Sequence, residues 1–290
     1  MNNHTPAAFF LLWGLWEARR ANPIRAGVAL GTCVLLDPVF ASIFGVCLAI
    51  GFLPSLRTVL RYGLGALPGL FTWFALNAAS SGSLIPVLLT PARAGVDKSW
   101  SSSGFVLPEG ADYPFHALFG HRGFFVYSPL FLVTILALPT IFRRLRGNHL
   151  DRCIILAVVA TIGVHMLIAG GYGGWAYGYR YLIPLVAPFA LLAPTLWRSH
   201  PTAFTLAFVP SFLLALLGAY APWVPSYQRE HFGNPIAARA KINAGVNLTC
   251  FLVEHRLPGA RTMERWFISA DPQLAHEYEA FFFRVRGDED

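Results

Sequence analysis

The sequence predicts an all-α protein, a polytopic transmembrane helical bundle of about seven or eight membrane segments, one of them a broken helix or hairpin. Three observations lead there. Of 290 residues, 55% are hydrophobic and only 13% are charged, with a mean hydropathy of +0.52, whereas a soluble domain carries about 25% charged residues. The apolar residues gather in stretches that approach the roughly 20 needed to span a bilayer. Most arginines sit in short segments between those stretches, where positive charge orients a chain in a membrane. The net charge of +7 is therefore read as topology and not as nucleic-acid binding.

In chain order, residues 6–16 are apolar and closed by Glu17, Arg19, Arg20 and Arg25. Residues 26–53 form one long apolar run broken at Asp37-Pro38, where proline removes a helical hydrogen bond and clashes with the turn before it. The run is either one kinked helix or a hairpin of two short ones. The hairpin keeps Arg57 and Arg61 on the side of Arg19, Arg20 and Arg25. Residues 62–77 then cross outward, 78–121 form an outer loop, and 123–142 cross back to Arg143, Arg144, Arg146 and Arg152. Residues 153–169 cross out, 181–197 return to Arg198, and 203–223 cross once more. The hairpin places ten basic residues in inner loops and leaves four outside: Arg93, Lys98, Arg122 and Arg180. A single kinked helix turns every later loop over and sorts the charges less well, so the hairpin is the expectation.

The chain divides into a membrane domain, 1–224, and a tail, 225–290. The tail holds eight basic and nine acidic residues, and 261–266 and 273–283 fit short amphipathic helices facing protein or lipid. Cys33, Cys47, Cys153 and Cys250 show no paired spacing, which argues against a disulfide framework or a zinc site. No basic segment followed by a cleavage site opens the chain, so no signal peptide is expected. Asn247-Leu248-Thr249 fits a glycosylation sequon of little weight.

The candidate site centres on a bend between two apolar segments, Gly170-Gly171-Tyr172-Gly173-Gly174-Trp175-Ala176-Tyr177-Gly178-Tyr179-Arg180-Tyr181. Glycine permits the tight backbone, Trp and Tyr favour the headgroup zone, and a guanidinium at the mouth of a helix can grip a phosphate with its planar fork. Arg180 is the first candidate for that contact; the plainer role is a headgroup anchor. Trp175, Tyr177, Tyr179 and Tyr181 either contact a sugar or prenyl chain or belong to an aromatic belt. Arg122 opens the segment that begins at Gly123, a place where the helix dipole disfavours a cation and a bound anion would favour one. Tyr127, one turn in, lines the site or packs the core, and Pro129 kinks or opens that helix.

Asp37 is the one carboxylate deep in an apolar run, and burying it is expensive unless it is paired or faces water. It is expected to pair with Arg180 or Arg122, or to cap its own Asp-Pro turn. In the outer loop, Asp112 and His116 would share a helical face. They could serve as a base, or hold a divalent cation with His121, or be solvated loop residues. No cofactor is otherwise implied. His165 reads as a packed, hydrogen-bonded histidine.

Two runs, Gly120-His121-Arg122-Gly123-Phe124-Phe125-Val126-Tyr127-Ser128-Pro129-Leu130 and Gly173-Gly174-Trp175-Ala176-Tyr177-Gly178-Tyr179-Arg180-Tyr181-Leu182-Ile183-Pro184, resemble motifs of bacterial GT-C-type membrane glycosyltransferases of the protein-mannosyltransferase kind. The break at Leu36-Asp37-Pro38 is similar to a third motif, with Asp where that family has a basic residue. The resemblance covers about residues 26–193. It implies an inverting enzyme of the cytoplasmic membrane that moves a sugar from a polyprenyl-phosphate donor to an acceptor outside the cell. In that family a carboxylate in the first outer loop acts as base or holds the acceptor. The first spans and that acidic loop should lie upstream of the matched region, where residues 1–25 leave no room. The expectation is the C-terminal portion of such an enzyme: truncated, degenerate, or completed by a partner subunit that supplies the missing spans. The partners implied are membrane lipid and a polyprenyl-phosphate sugar. Two rival classes stand beside it. A non-catalytic scaffold is motivated by the missing loop, and a transporter or lipid flippase by the broken helix.

Overall fold

The computed structural model describes residues 4–83, 112–119, 123–144, 149–168, 180–220, 248–249, 251–252 and 255–267. All regular structure among them is helical. Four helices are long and apolar enough to cross a membrane, or five if the broken pair around Ser128 counts as one span. The chain divides into two compact units, the first Met1–Ala111, Phe131–Gly170 and Tyr181–Phe204, the second Asp112–Leu130, Gly171–Arg180 and Thr205–Asp290.

The first unit begins with α1 (His4–Arg19), α2 (Pro23–Leu36), α3 (Pro38–Phe52) and α4 (Leu56–Ser81). α2 and α3 both start on a proline, the position where its missing N–H costs nothing. Between them Asp37 leaves the helical region, at φ −146° and ψ 85°. The same residue caps α3, its carboxylate accepting the Phe40 N–H at 3.4 Å. Later come α7 (Pro129–Arg144), α8 (His149–Ile168) and, after a 3₁₀ turn at Arg180–Leu185, α9 (Val186–Ser199).

Contacts between these helices fix their directions. Gly14 packs on Leu30, and the Cys33 thiol donates to the Ala7 carbonyl at 3.4 Å, so α1 and α2 are antiparallel. Gly65 lies against Ile24 and Gly69 against Gly31, so α4 runs in the same sense as α2. The Phe40 and His165 rings meet at 5.8 Å, while Gly51 sits on Leu150 and Cys153, so α3 and α8 are antiparallel. The chain therefore reverses at Asp37, and α2 and α3 form a hairpin.

α2 and α4 touch backbone to backbone because each presents two glycines four residues apart, Gly27 and Gly31 against Gly65 and Gly69. A Cβ on Gly31 would stand 2.6 Å from the Ala66 carbonyl oxygen. Small residues at this spacing let helices approach as larger ones cannot. α4 ends at Gly82, whose φ of 68° closes the helix in the left-handed region that glycine enters freely.

α4 starts at Leu56, earlier than the expected crossing at Tyr62. Ser55 accepts from the Thr58 N–H and caps it, and Arg57 and Arg61 are exposed on its first two turns.

The second unit holds α5 (Asp112–Phe119), α6 (Phe124–Tyr127), most of α10 (Pro201–Tyr220) and α11 (Ala260–Phe267). The segment expected to cross as one piece over 123–142 is broken at Ser128, with φ −141° and ψ 66°. Pro129 forces that break. The exposed N–H of Leu130 is satisfied by the Ser211 hydroxyl at 2.9 Å. α11 falls where the sequence predicts an amphipathic helix; the expected helix at 273–283 lies outside the described residues.

Candidate functional site

The first unit has two chemically different ends. At one, Arg19 donates to Asp151 through Nε at 2.7 Å and through a second nitrogen at 2.7 Å, with a further bond to the Leu191 carbonyl at 3.2 Å. Both nitrogens meet the same Asp151 oxygen, Oδ1; the pair ties α1 to α8, and the Leu191 bond ties α1 to α9. Asn22 closes the α1–α2 turn by donating to Glu17 at 2.9 Å. Arg20, Arg25, Arg57, Arg61 and Arg152 lie at the same end, in the turns and first helical turns.

The other end carries no Lys or Arg among the described residues of α1–α4 and α8. It carries His4, Asp37 and His165 instead. α1 brings His4 there with its first turn, the α2–α3 break brings Asp37, and α8 brings His165 near its last turn. The Asp37 carboxylate uses both oxygens: Oδ1 caps Phe40, and Oδ2 lies 2.8 Å from His4 Nδ1. Asp37 is 7% exposed and His165 also 7%. His165 Nδ1 lies 2.9 Å from the Thr161 carbonyl. A carbonyl only accepts, so Nδ1 of His165 carries the proton and, in the neutral ring, Nε2 carries the lone pair. An ionised Asp37 fixes the same tautomer on His4. Phe40 stacks on Phe44 at 5.5 Å, and its ring lies 5.8 Å from that of His165.

The residues singled out in the sequence fall as follows. Asp37 is buried at the helix break, where it caps its own turn, one of the two roles read for it, and lies against His4; the arginine side chains of the other role, Arg180 and Arg122, lie outside the described residues. Arg180 and Tyr181 open the 3₁₀ turn that leads into α9, their side chains lying outside the described residues. Tyr127 is the last residue of α6 and is buried in the second unit. Arg122, Trp175, Tyr177 and Tyr179 lie outside the described residues, as does His121. Asp112 and His116 share α5, again without described side chains. His165 takes the packed, hydrogen-bonded place read for it.

His4 was not singled out. Nothing in its immediate sequence marks it, and only the antiparallel fold of α1 on α2 carries it to Asp37, 33 residues away. The Arg19–Asp151 pair, 132 residues apart, was equally invisible. Among the described residues no three His, Cys, Asp or Glu side chains gather to hold a metal ion, and Cys33, Cys47 and Cys153 are free thiols.

The arrangement places two imidazoles and a carboxylate at one end of a helical unit and fixed positive charge at the other. No family model, curated protein or solved structure matches the chain.

Proposed function

We propose that the chain is a multi-pass protein of a bacterial cytoplasmic membrane, with its arginine-rich end inside, that handles a polyprenyl-phosphate-linked sugar at its outer face. In this reading it is a GT-C-like glycosyltransferase, whole or partial, and transfer proceeds with inversion. The sidedness follows from the arginine-rich end, since positive charge is retained in the cytoplasm. The run that resembles the GT-C enzymes then returns on the outer side.

The observation that carries the ligand is the place of Arg180. It is the first residue of a helical segment that continues from the 3₁₀ turn into α9. The dipole at such a position disfavours a cation, while free N–H groups and a guanidinium together suit a phosphate. Glycines and aromatics precede it, which suits a headgroup at the membrane surface.

Binding of a short-chain polyprenyl phosphate to the purified protein in detergent tests this. Arg180→Ala should weaken binding by about tenfold or more, the value of one charge-assisted contact. Unchanged binding would remove Arg180 from the site and the reading with it.

A second reading, a transporter or lipid flippase, is favoured by one observation. Two apolar segments are interrupted at an X-Pro step, at Asp37-Pro38 and at Ser128-Pro129. Interrupted helices line substrate sites in many transporters. Movement of labelled prenyl phosphate across proteoliposomes without sugar transfer would put this reading first.

A further inference from the structure

α10 serves as a depth gauge for the second unit. It is 20 residues long and carries no charged residue. At the helical rise that is about 30 Å, the thickness of the hydrocarbon core. Ser211 is its eleventh residue, so it stands about 15 Å from either end, at the level of the bilayer midplane whichever end is up. The Ser211 hydroxyl donates to the Ala207 carbonyl at 2.7 Å and accepts the Leu130 N–H at 2.9 Å. Leu130 is thereby held at mid-depth.

The chain can be followed back from there. Phe125 precedes Leu130 by five residues, and its first two steps run along α6. Even with the remaining three steps fully extended, Phe125 stands at most about 13 Å from Leu130. The edge of the core is about 15 Å from the midplane, so Phe125 lies within it. The Phe119 ring meets the Phe125 ring at 5.3 Å, and the Phe115 ring meets that of Phe119 at 5.9 Å. Phe115 and Phe119 stand four apart on one face of α5, 62% and 43% exposed, with fully buried Ala117 on the opposite side. α5 begins at Asp112, a residue the core excludes, about 10 Å along the helix from Phe119.

We propose that α5 is a half-span in one leaflet, where hydropathy puts residues 78–121 in an outer loop. It descends from the membrane surface at Asp112 into the hydrocarbon at Phe119, and its Phe115–Phe119 face lies against lipid acyl chains. The partner is the one that covers α10, whose exposed Leu206, Phe208, Val209, Phe212, Leu213 and Leu216 belong to the same unit. Eight residues are about 12 Å of helix, too short to cross a bilayer and long enough to reach into one leaflet. α5, α6 and the break at Ser128 then form one half of a broken span. The backbone donor next to that break is satisfied by protein, as the water-free core requires. The proposal rests on α10 crossing a bilayer and not on the sugar-lipid reading, which stands or falls separately at Arg180.

Nitroxide labels test it. Phe115→Cys and Phe119→Cys, each in the otherwise cysteine-free full chain, are labelled and reconstituted into phospholipid vesicles, with Phe208→Cys on α10 as the reference. Collisions with oxygen, which concentrates in the bilayer, are compared with collisions with a water-soluble nickel chelate. Both α5 labels should meet oxygen several-fold more than nickel, as the reference does, and Phe119→Cys should read deeper than Phe115→Cys. Nickel collisions matching those with oxygen would put α5 in water and overturn the proposal. Low collision rates with both reagents would mean that protein covers this face, the chain's own tail or a second copy, and would overturn it as well. The reverse depth order would contradict the descent. If the cysteine-free chain fails to fold, Phe115→Trp in the native chain decides. Acyl chains brominated along their length should quench the added fluorescence relative to the parent, and no added quenching would overturn the proposal.

Discussion

Asp37 sits where two requirements of a helical membrane unit meet. The chain must turn, and proline at residue 38 makes it do so; the freed backbone donors must then be satisfied, and the carboxylate takes the Phe40 N–H. A carboxylate in that place was visible in the sequence, because it is the one acidic residue in a long apolar run. Its partner was not, because a contact between residues 4 and 37 exists only once α1 has folded back on α2. The same limit applies to Arg19 and Asp151. Each read as an ordinary flanking charge, and only the antiparallel packing of α1 and α8 turns them into a pair. That pair is part-buried, the Asp151 side chain 6% exposed and the Arg19 side chain 25%. Removing one partner strands the other charge, so Asp151→Asn should lower stability by about 3 kcal/mol. Replacing both by apolar residues, Arg19→Met with Asp151→Leu, should recover most of the loss. Chemical unfolding in detergent reads both variants, and a single variant as stable as the parent would show that the pair contributes nothing.

At the level of helices, the chain depends on the close crossing of α2 and α4. Gly31→Leu places a side chain against the Ala66 backbone, which cannot move without the helix. The expected cost is several kcal/mol, at or beyond the upper end for overpacking, and loss of a monodisperse particle on size exclusion is the readout. Gly63 lies on the same helix α4 with nothing within 4 Å of an added Cβ. Gly63→Ala should be neutral or stabilise by up to about 1 kcal/mol. Equal effects from the two would remove the glycine contact as the reason α2 and α4 pack. The hairpin at Asp37-Pro38 was legible because proline and charge sorting speak through local rules. The start of α4 was not, since exposed arginines on the first turns of a helix look like loop residues in a sequence. The break at Ser128 was half legible: Pro129 marks it, but whether a proline kinks a helix or ends it depends on who satisfies the freed donors, here Ser211.

For the molecule as a whole, the distribution of apolar surface carries the membrane assignment. α10 exposes Leu206, Phe208, Val209, Phe212, Leu213 and Leu216 along its length. α4 exposes Leu60, Leu64, Leu67, Phe71 and Phe74 on one face. A helix apolar all round belongs in lipid or in a protein core, and these faces have no described protein against them. α1, α2 and α3, at 14 to 16 residues, are shorter than a full span. They fit a membrane as a packed inner wedge held against the longer α4 and α8. Composition alone predicted the class, whereas the count of full crossings depends on helix lengths that hydropathy blurs.

The central claim is sidedness: the arginine-rich end faces the cytoplasm and the end with Asp37, His4 and His165 faces out. Single cysteines in an otherwise cysteine-free chain test it directly, with Ser83→Cys just beyond α4 at the proposed outer end and Leu53→Cys at the α3–α4 turn by the arginines. A membrane-impermeant maleimide added to intact bacteria expressing the protein should label Ser83→Cys and reach Leu53→Cys only after lysis. Labelling of Leu53→Cys in intact cells, with Ser83→Cys protected until lysis, would invert the orientation and contradict the account.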